Sequence, residues 1–299
     1  MLVSILTPSF NQVKYLPDLI TSVKSQTYRP IEHIICDGGS QDGTTELLSS
    51  FNHDSDGIRV VWKSEADRGQ AHAINKAFNL SSGEIIGWIN SDDVYFHKAV
   101  VQRVVEAFEN HPEVDVIHGD VAKITADNLV SLVWSIPKFN FERMFVDGKV
   151  SQPTVFLRRR VMEKHKLLEN TLALDYEYWL RIGKEYRFLH LHDILAGDRN
   201  QPERISQLKS VELRESHLAA QKAHMPVIPT RRIAWYRATG LVQRAYHRLL
   251  GLFKYASACR NWQSIAFPAH RDGGWAFIKR QLFTRIGDLP FDETKGSAK

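Results

Sequence analysis

The sequence predicts an α/β fold with a mostly parallel central sheet, followed by a basic, mainly helical C-terminal extension. Three observations predict it. Short apolar runs alternate with amphipathic stretches through the first half, the pattern of successive βαβ units. Four of those runs end in polar or acidic residues, so the strand ends gather at a common edge. Charge also divides unevenly: residues 225–299 hold 13 Lys+Arg against 4 Asp+Glu, leaving 26 against 30 for residues 1–224.

Taken in order, residues 2–7 read as a first strand, 15–26 as a helix with Pro17 in its first turn, and 31–36 as the second strand. Residues 37–44 form a turn-rich loop that feeds a helix from about Thr45. A strand over 59–62, a helix over 70–80 and a strand over 85–89 complete the regular part. A helix over 98–110 and a strand over 114–118 close the first layer. Beyond it, strands are expected at 152–157 and 188–192, and helices at 175–183 and 206–224. Pro226 and Pro229 mark a boundary before the basic extension, in which apolar residues fall at helical spacing over 233–254.

Length and composition suit one large domain plus a smaller appendage: 299 residues, 43% of them hydrophobic, bury a core without staples. Cys36 and Cys259 form no metal or disulfide pattern, as expected in a reducing compartment. The N-terminus reads as a strand and not as a signal peptide, and no run reaches the roughly 18 apolar residues of a membrane-crossing helix.

The most informative segment is Ile85-Ile86-Gly87-Trp88-Ile89-Asn90-Ser91-Asp92-Asp93, an apolar strand that ends in two adjacent carboxylates. Hard oxygen ligands at a strand's carboxyl end suit Mg²⁺ or Mn²⁺, whose remaining ligands are commonly phosphate oxygens. Asp37 holds the equivalent place after the second strand. The glycines and hydroxyl residues that follow it let the backbone approach a ligand, although a plain turn capped by Asp37 explains the segment equally well. Asp67 and Arg68 follow the next strand; the Arg68 fork suits a base or phosphate, or a surface pair with Glu65 or Asp67. Thr7, Pro8 and Ser9 follow strand one. Neither Gly-x-Gly-x-x-Gly nor a phosphate loop ending in Gly-Lys-Ser/Thr occurs, which counts against dinucleotide enzymes and P-loop hydrolases. His190 and His192 alternate on a strand and are read as packed residues, because no third metal ligand has recognisable spacing. Arg158-Arg159-Arg160 reads as a solvated helix start, with contact to an anionic acceptor as the alternative.

These segments together resemble family 2 glycosyltransferases of the GT-A fold, a Rossmann-like nucleotide-diphospho-sugar transferase architecture. The resemblance rests on Val3 to Asn11, Asp37-Gly38-Gly39-Ser40 with Asp42-Gly43-Thr44, Asp67-Arg68-Gly69 and Ala73-Ile74-Asn75-Lys76. It continues through Ser82-Gly83-Glu84, Asn90-Ser91-Asp92-Asp93 and Leu174 to Arg181, and spans roughly residues 1–210. It implies that Thr7, Pro8, Ser9, Asp37, Asp67 and Arg68 line the nucleotide, Asp92 the ribose, and Asp93 a Mn²⁺ or Mg²⁺ on the diphosphate. Asp175 would be the general base of an inverting transfer from a nucleotide-diphosphate sugar, a UDP-sugar by preference, to a saccharide or lipid-linked acceptor in cell-surface polysaccharide or glycolipid synthesis. Residues 1–224 would form the catalytic domain, with 1–119 binding the donor and 120–224 the acceptor. Two departures stand out. Leu174 replaces the first member of an acidic pair, and Gln201 stands where an Arg-x-His element would place histidine, so that histidine's role does not carry over.

Asp175 also reads as a helix N-cap, and an apolar neighbourhood from Tyr178 or Trp179 is expected to raise its pKa. In the extension, Arg237, Arg244 and Arg248 fall on a different helical face from Leu241, Val242, Ala245, Tyr246, Leu249, Leu250 and Phe253. Trp235, Trp262 and Trp275 add rings suited to a bilayer interface. A peripheral position on an anionic membrane surface through 230–285, at the cytoplasmic face, is one expectation. Packing on the catalytic domain or in a homo-oligomer is the other. Nucleic acid is excluded for want of a recognised motif. The alternative functions are a non-catalytic sugar-nucleotide or polysaccharide-binding module and a sugar nucleotidyltransferase, the latter lacking its glycine- and arginine-rich loop.

Overall fold

The computed structural model describes residues 1–51, 54–204, 208–271 and 274–283. The strands are β1 (Val3–Ser9), β2 (Ile31–Asp37), β3 (Asp54–Ser55), β4 (Ile58–Ser64), β5 (Ile85–Trp88), β6 (Val94–Tyr95), β7 (Val116–Thr125), β8 (Leu129–Trp134), β9 (Phe156–Arg158), β10 (Phe188–Asn200) and β11 (His270–Arg271). The helices are α1 (Leu16–Lys24), α2 (Thr44–Ser50), α3 (Gln70–Leu80), α4 (Val100–Asn110), α5 (Arg159–Lys164), α6 (Leu174–Ile182), α7 (Ser210–His224), α8 (Thr230–Arg260) and α9 (Gly274–Phe283).

One curled sheet holds the fold, in the order β11-β8-β7-β9-β5-β1-β2-β4-β3, with β10 beside β7 and β6. β5, β1, β2 and β4 run parallel, as the alternating pattern predicts. Both faces are covered, so these strands read as continuous apolar runs. Because side chains alternate across a strand, Ile5 joins the layer of Leu16, Leu19, Val104 and Phe108, whereas Leu6 joins that of Ile74, Phe78, Trp88 and Trp179. α1 and α4 therefore cover one face, α3 and α6 the other.

The structure departs from several expectations. The strand expected at 152–157 is a short 3-10 turn, Gln152–Thr154, followed by the three-residue β9. β8 forms where no element is expected, and α5 begins where the Arg158-Arg159-Arg160 run reads as a helix start. Within the Arg158-Arg159-Arg160 run only Arg160 is exposed, and it pairs with Asp115 at 2.6 Å; Arg158 is half-buried and donates to the Val114 and Phe108 carbonyls, and Arg159, also half-buried, to the Ser81 carbonyl. Together they fasten β9 and α5 to neighbouring strand and helix ends. α7 begins at Ser210; the expected helical residues 206 and 207 lie outside the described residues.

The extension packs on the catalytic sheet. Gly251 of α8 lies against the Val133 carbonyl and Gln281, so closely that a Cβ has no room. Tyr255 stacks on Phe277 of α9 at 3.6 Å between ring centroids, and both join a core shared with Val94, Ala122 and Ile124. Among the described residues no helix is long and apolar enough to cross a membrane.

Candidate active site

Register assembles the carboxyl edge of the sheet. Ser9 at the end of β1 stands beside Asp37 at the end of β2, and Asp37 beside Ser64 at the end of β4. On the other side of β1, β5 runs out through Asn90 and Ser91 to Asp92 and Asp93. Open α/β sheets bind ligands at such an edge.

Asp37 is fully buried and shapes its own loop. Its Oδ2 accepts the Gly39 and Ser40 amides at 3.1 and 2.9 Å and the Ser64 hydroxyl at 2.7 Å; its Oδ1 accepts the Ser40 hydroxyl. The loop needs its glycines: Gly39 has φ +86° and Gly43 φ +96°, a region costly for other residues. A Cβ on Gly38 would lie 2.9 Å from Asp67 Oδ2, which brings the Asp37 and Asp67 loops together. Asp67 Oδ1 accepts the Gly69 amide at 2.8 Å. Thr7 and Pro8 are buried, and the Thr7 hydroxyl is joined to His33 Nε2 at 3.0 Å within the core. Ser9 Oγ is buried with no hydrogen-bond partner among the described residues. Arg68 pairs with neither Glu65 nor Asp67 but with Glu169, at 2.7 and 2.9 Å, which ties the donor-side loop to the segment before α6.

The adjacent carboxylates are held by β10. The Arg199 amide donates to Asp93 Oδ1 at 2.9 Å, and the Arg199 guanidinium, fully buried, donates to the Asp92 carbonyl at 2.7 Å. The same guanidinium reaches Asn128 at 2.6 Å and Asp18 at 3.1 Å and lies over the Tyr15 ring. Gln201, in the position lacking histidine, donates from Nε2 to Asp92 Oδ2 at 3.2 Å, while its Oε1 accepts the Glu203 amide. Sequence reasoning missed Asp198, which ends an apolar run, Ile194 to Gly197, much as Asp92 ends its own. Asp198 pairs with Lys123 and, at 2.8 Å, with Arg204. Burial pushes Asp93 well above the usual carboxylate range, and the charges of Asp92 and Asp198 add to that; burial also raises Asp92. Burial works against the Asp198 anion too, but Lys123 and Arg204 hold its pKa low.

Behind the pair lies an amide relay that was also missed. Asn90 Oδ1 accepts Gln70 Nε2 at 2.7 Å and Trp88 Nε1 at 3.2 Å, and Asn90 Nδ2 donates to Gln152 Oε1 at 3.0 Å. Gln152 returns a bond to the Trp88 carbonyl at 2.7 Å, so side chains fix the loop that carries Asp92 and Asp93.

Asp175 lies in the first turn of α6, with Ala173 at the N-cap, so it is not the capping residue. Its Oδ1 accepts the Tyr176 amide at 2.8 Å. Burial raises its pKa as expected; the Tyr176 amide and His217 oppose the rise, and the Asp198 charge adds to it. Asp198 thus lies within electrostatic reach of both Asp93 and Asp175.

Among the described residues no group of three or more His, Cys, Asp or Glu side chains is arranged to hold a metal ion. The donor set nevertheless fits Mg²⁺ or Mn²⁺, which bind through one or two carboxylates and take substrate phosphates as further ligands. Asp93 Oδ2 has no hydrogen-bond partner among the described residues, and the crowded carboxylates carry a charge that a divalent cation would neutralise. Of the two strand histidines only His190 is packed: its Nε2 meets the fully buried Asp120 at 3.1 Å, whereas His192 is exposed.

Comparison with known proteins agrees with this architecture. Residues 4–164 match the family described as Glycosyl transferase family 2. An uncharacterised glycosyltransferase of Nostoc sp. (strain PCC 7120) is 33% identical over 120 residues, 40% of this chain and 36% of that protein. One of Methanocaldococcus jannaschii is 24% identical over 222 residues, 71% of this chain and 76% of that protein. The match thus spans about a third of the first relative's length and about three quarters of the second's. Among solved structures, Staphylococcus aureus TarS 1-349 in complex with UDP-GlcNAc superposes with a TM-score of 0.59 at 16% identity, covering 78% of this chain and 69% of that one. The mannosyltransferase PcManGT from Pyrobaculum calidifontis, in complex with GDP-Man and Mn²⁺, gives 0.59 at 17% identity, covering 86% and 75%. These likenesses establish the GT-A fold, and by the match over more than half its length the chain belongs to glycosyl transferase family 2.

Proposed function

We propose that this chain transfers a sugar from a nucleotide-diphosphate donor, a UDP-sugar by preference, to an acceptor hydroxyl with inversion at the anomeric carbon. The convergence of Asp92, Asp93, Asp198 and Asp175 at the carboxyl edge of the sheet carries this reading. Ser9, Asp37, Asp67 and Arg68, with the backbone at Thr7 and Pro8, line the nucleotide, and Asp92 meets the ribose. Arg68 exchanges Glu169 for the donor when it binds. Asp93 is the principal ligand of Mn²⁺ or Mg²⁺. Such a cation supplies neutralisation of the charge that grows on the departing diphosphate.

Asp175 takes the proton from the acceptor hydroxyl as that oxygen bonds to the anomeric carbon, and the bond to the nucleoside diphosphate breaks on the opposite face. Its raised pKa brings the carboxylate closer to the basicity such a transfer needs. Asp175→Asn should cut turnover by about 10²- to 10⁴-fold and leave nucleotide binding unchanged. Wild-type turnover in that variant would remove the assigned base. A relic binding module is disfavoured because Asp93 and Asp175 are both intact.

The outer face of α8 supports a peripheral place on an anionic membrane. Trp235, Val242, Tyr246, Leu249 and Phe253 form an exposed stripe opposite the packed Gly240, Gly251 and Tyr255. Across its 31 residues α8 has seven Lys/Arg and no acid. Each cation near such a surface contributes about 1 kcal/mol. Trp275 of α9 is 80% exposed; the part of the 230–285 surface at 272–273 and 284–285 lies outside the described residues. Flotation with phosphatidylglycerol vesicles should carry the full chain and not a variant with Trp235, Phe253 and Trp275 changed to Ser. Equal flotation of the two would remove the membrane surface.

A further inference from the structure

Beside α6 the extension encloses a groove of about 350 Å³ that is separate from the donor edge. Its apolar lining comes from Phe145, Met225, Ile228, Ile233 and Leu241, and Arg237 and Arg244 stand at its rim. The walls are preformed. Arg143 on the inner segment forks onto Asp147 at 2.8 Å, reaches Thr239 at 2.6 Å and lies over the Tyr236 ring. Tyr236 in turn donates to Glu142 at 2.8 Å. Tyr176, next in chain to Asp175, donates its hydroxyl to the Met144 carbonyl at 2.7 Å, so the wall of the groove hangs from the helix that carries the assigned base.

Charge at this place is unbalanced. Asp147, the one carboxylate in the lining, is taken up by Arg143. Arg237, Arg244 and Lys149 have no carboxylate partner among the described residues. Lys149 and Lys123 both lie on the Trp134 ring, at 4.4 and 5.0 Å, and burial together with the charges of Lys123 and Arg244 depresses the Lys149 pKa. Lys123 is itself the partner of Asp198 in the donor cluster. A row of cations thus leads from the reacting edge to an apolar groove, and beyond Lys123 its members have no acid among the described residues and so attract an anion from outside. The apolar lining reaches solvent: Met225 and Leu241 are more than half exposed.

We infer that the groove seats the apolar chain of a phosphate-linked lipid acceptor, with its phosphate on Lys149 and Arg244 and its accepting hydroxyl extended toward Asp175. This names the acceptor class for the proposed transfer and rests on that reading. The groove binds the chain, and the cations hold the charged linkage that a free sugar lacks.

Farnesyl monophosphate is the probe, titrated calorimetrically into the full-length protein below its micellar concentration, with farnesol and inorganic phosphate as controls. The wild type should bind the probe at least about tenfold more tightly than either control, because both the chain and the charge-assisted hydrogen bonds contribute. The Lys149→Ala/Arg244→Ala double variant should lose about tenfold or more. Leu241→Asp, at an exposed lining position, should also weaken the probe, and UDP-sugar binding should be unchanged in every variant. Equal affinity for probe and farnesol, for probe and inorganic phosphate, or for the probe in wild type and double variant would overturn the inference. Probe binding without any nucleotide-sugar binding would sink the donor reading and leave the groove standing.

Discussion

The two ends of the proposed reaction path are built in opposite ways. At the donor edge nearly every polar side chain is tied to protein: Asp37 to its own loop and Ser64, Asn90 to Gln70 and Gln152, Arg199 to five oxygens across three segments. At the extension and the groove beside it, aromatic rings face solvent and Arg237, Arg244 and Lys149 have no carboxylate partner among the described residues. A site that must bind one small charged donor in one pose benefits from preorganisation. A surface that meets a fluid partner benefits from exposed apolar groups and uncommitted charge. Rigidity on one side and availability on the other follow from what each side must recognise.

Substitutions can break that contrast, and the largest effect should fall on the donor side. Arg199→Met leaves Asp18 and the carbonyls beneath Asp92 without their buried donor. It should cost about 3–5 kcal/mol in urea denaturation and also weaken nucleotide binding. A loss below about 1 kcal/mol would show that the staple is dispensable. Next comes the junction: Phe277→Ala removes one ring of the Tyr255 stack and should cost about 3 kcal/mol in a single unfolding transition. Unchanged stability of the main transition would mean that the extension folds apart from the catalytic sheet.

A smaller effect is expected from pH. His118 and His190 are buried neutral, with pKa values lowered by burial to about 3 and about 4. The unfolded chain, with histidines near 6.5, binds more protons between those values, so stability should be full above about pH 6.5 and fall as pH drops toward 4. His118→Leu, which removes two buried ring nitrogens lacking partners, should flatten that slope without destabilising at pH 7.5. An unaltered slope would exclude His118 from the acid response. The smallest effect is reserved for the outer face of α8: Phe253→Ser should change stability by less than about 0.5 kcal/mol while reducing vesicle flotation.

What the sequence revealed follows the same division. α3 was legible to the residue because its apolar spacing and its flanking Gly69 and Ser81 agree. β1, β2 and β5 were legible as apolar runs with polar ends. β8 was not, since Leu129 to Trp134 carries its meaning in pairing with β7 and in contacts from α8 and α9, all distant in chain. Asp92 and Asp93 announced themselves by adjacency. Their supports did not: Arg199 and Gln152 act through bonds to residues more than sixty positions away. Asp198 has the same signature as Asp92, an apolar run ending in charge, but it stands beside Arg199 and not beside a second carboxylate, so it reads as half of an ion pair. In the Arg158 to Arg160 run, Arg158 and Arg159 look solvated because the carbonyls they serve are distant in chain, whereas Arg160 is indeed exposed beside Asp115.

The measurement that bears most directly on the account is thermal stabilisation by UDP-, GDP-, CDP- and dTDP-sugars, with and without Mn²⁺, in the wild type and in Asp93→Asn. The account predicts that one nucleotide-sugar class, UDP by preference, stabilises the wild type in a Mn²⁺-dependent manner and that Asp93→Asn loses the dependence. The absence of Mn²⁺-dependent stabilisation by any of them, or its persistence in Asp93→Asn, would contradict the assignment of the donor site.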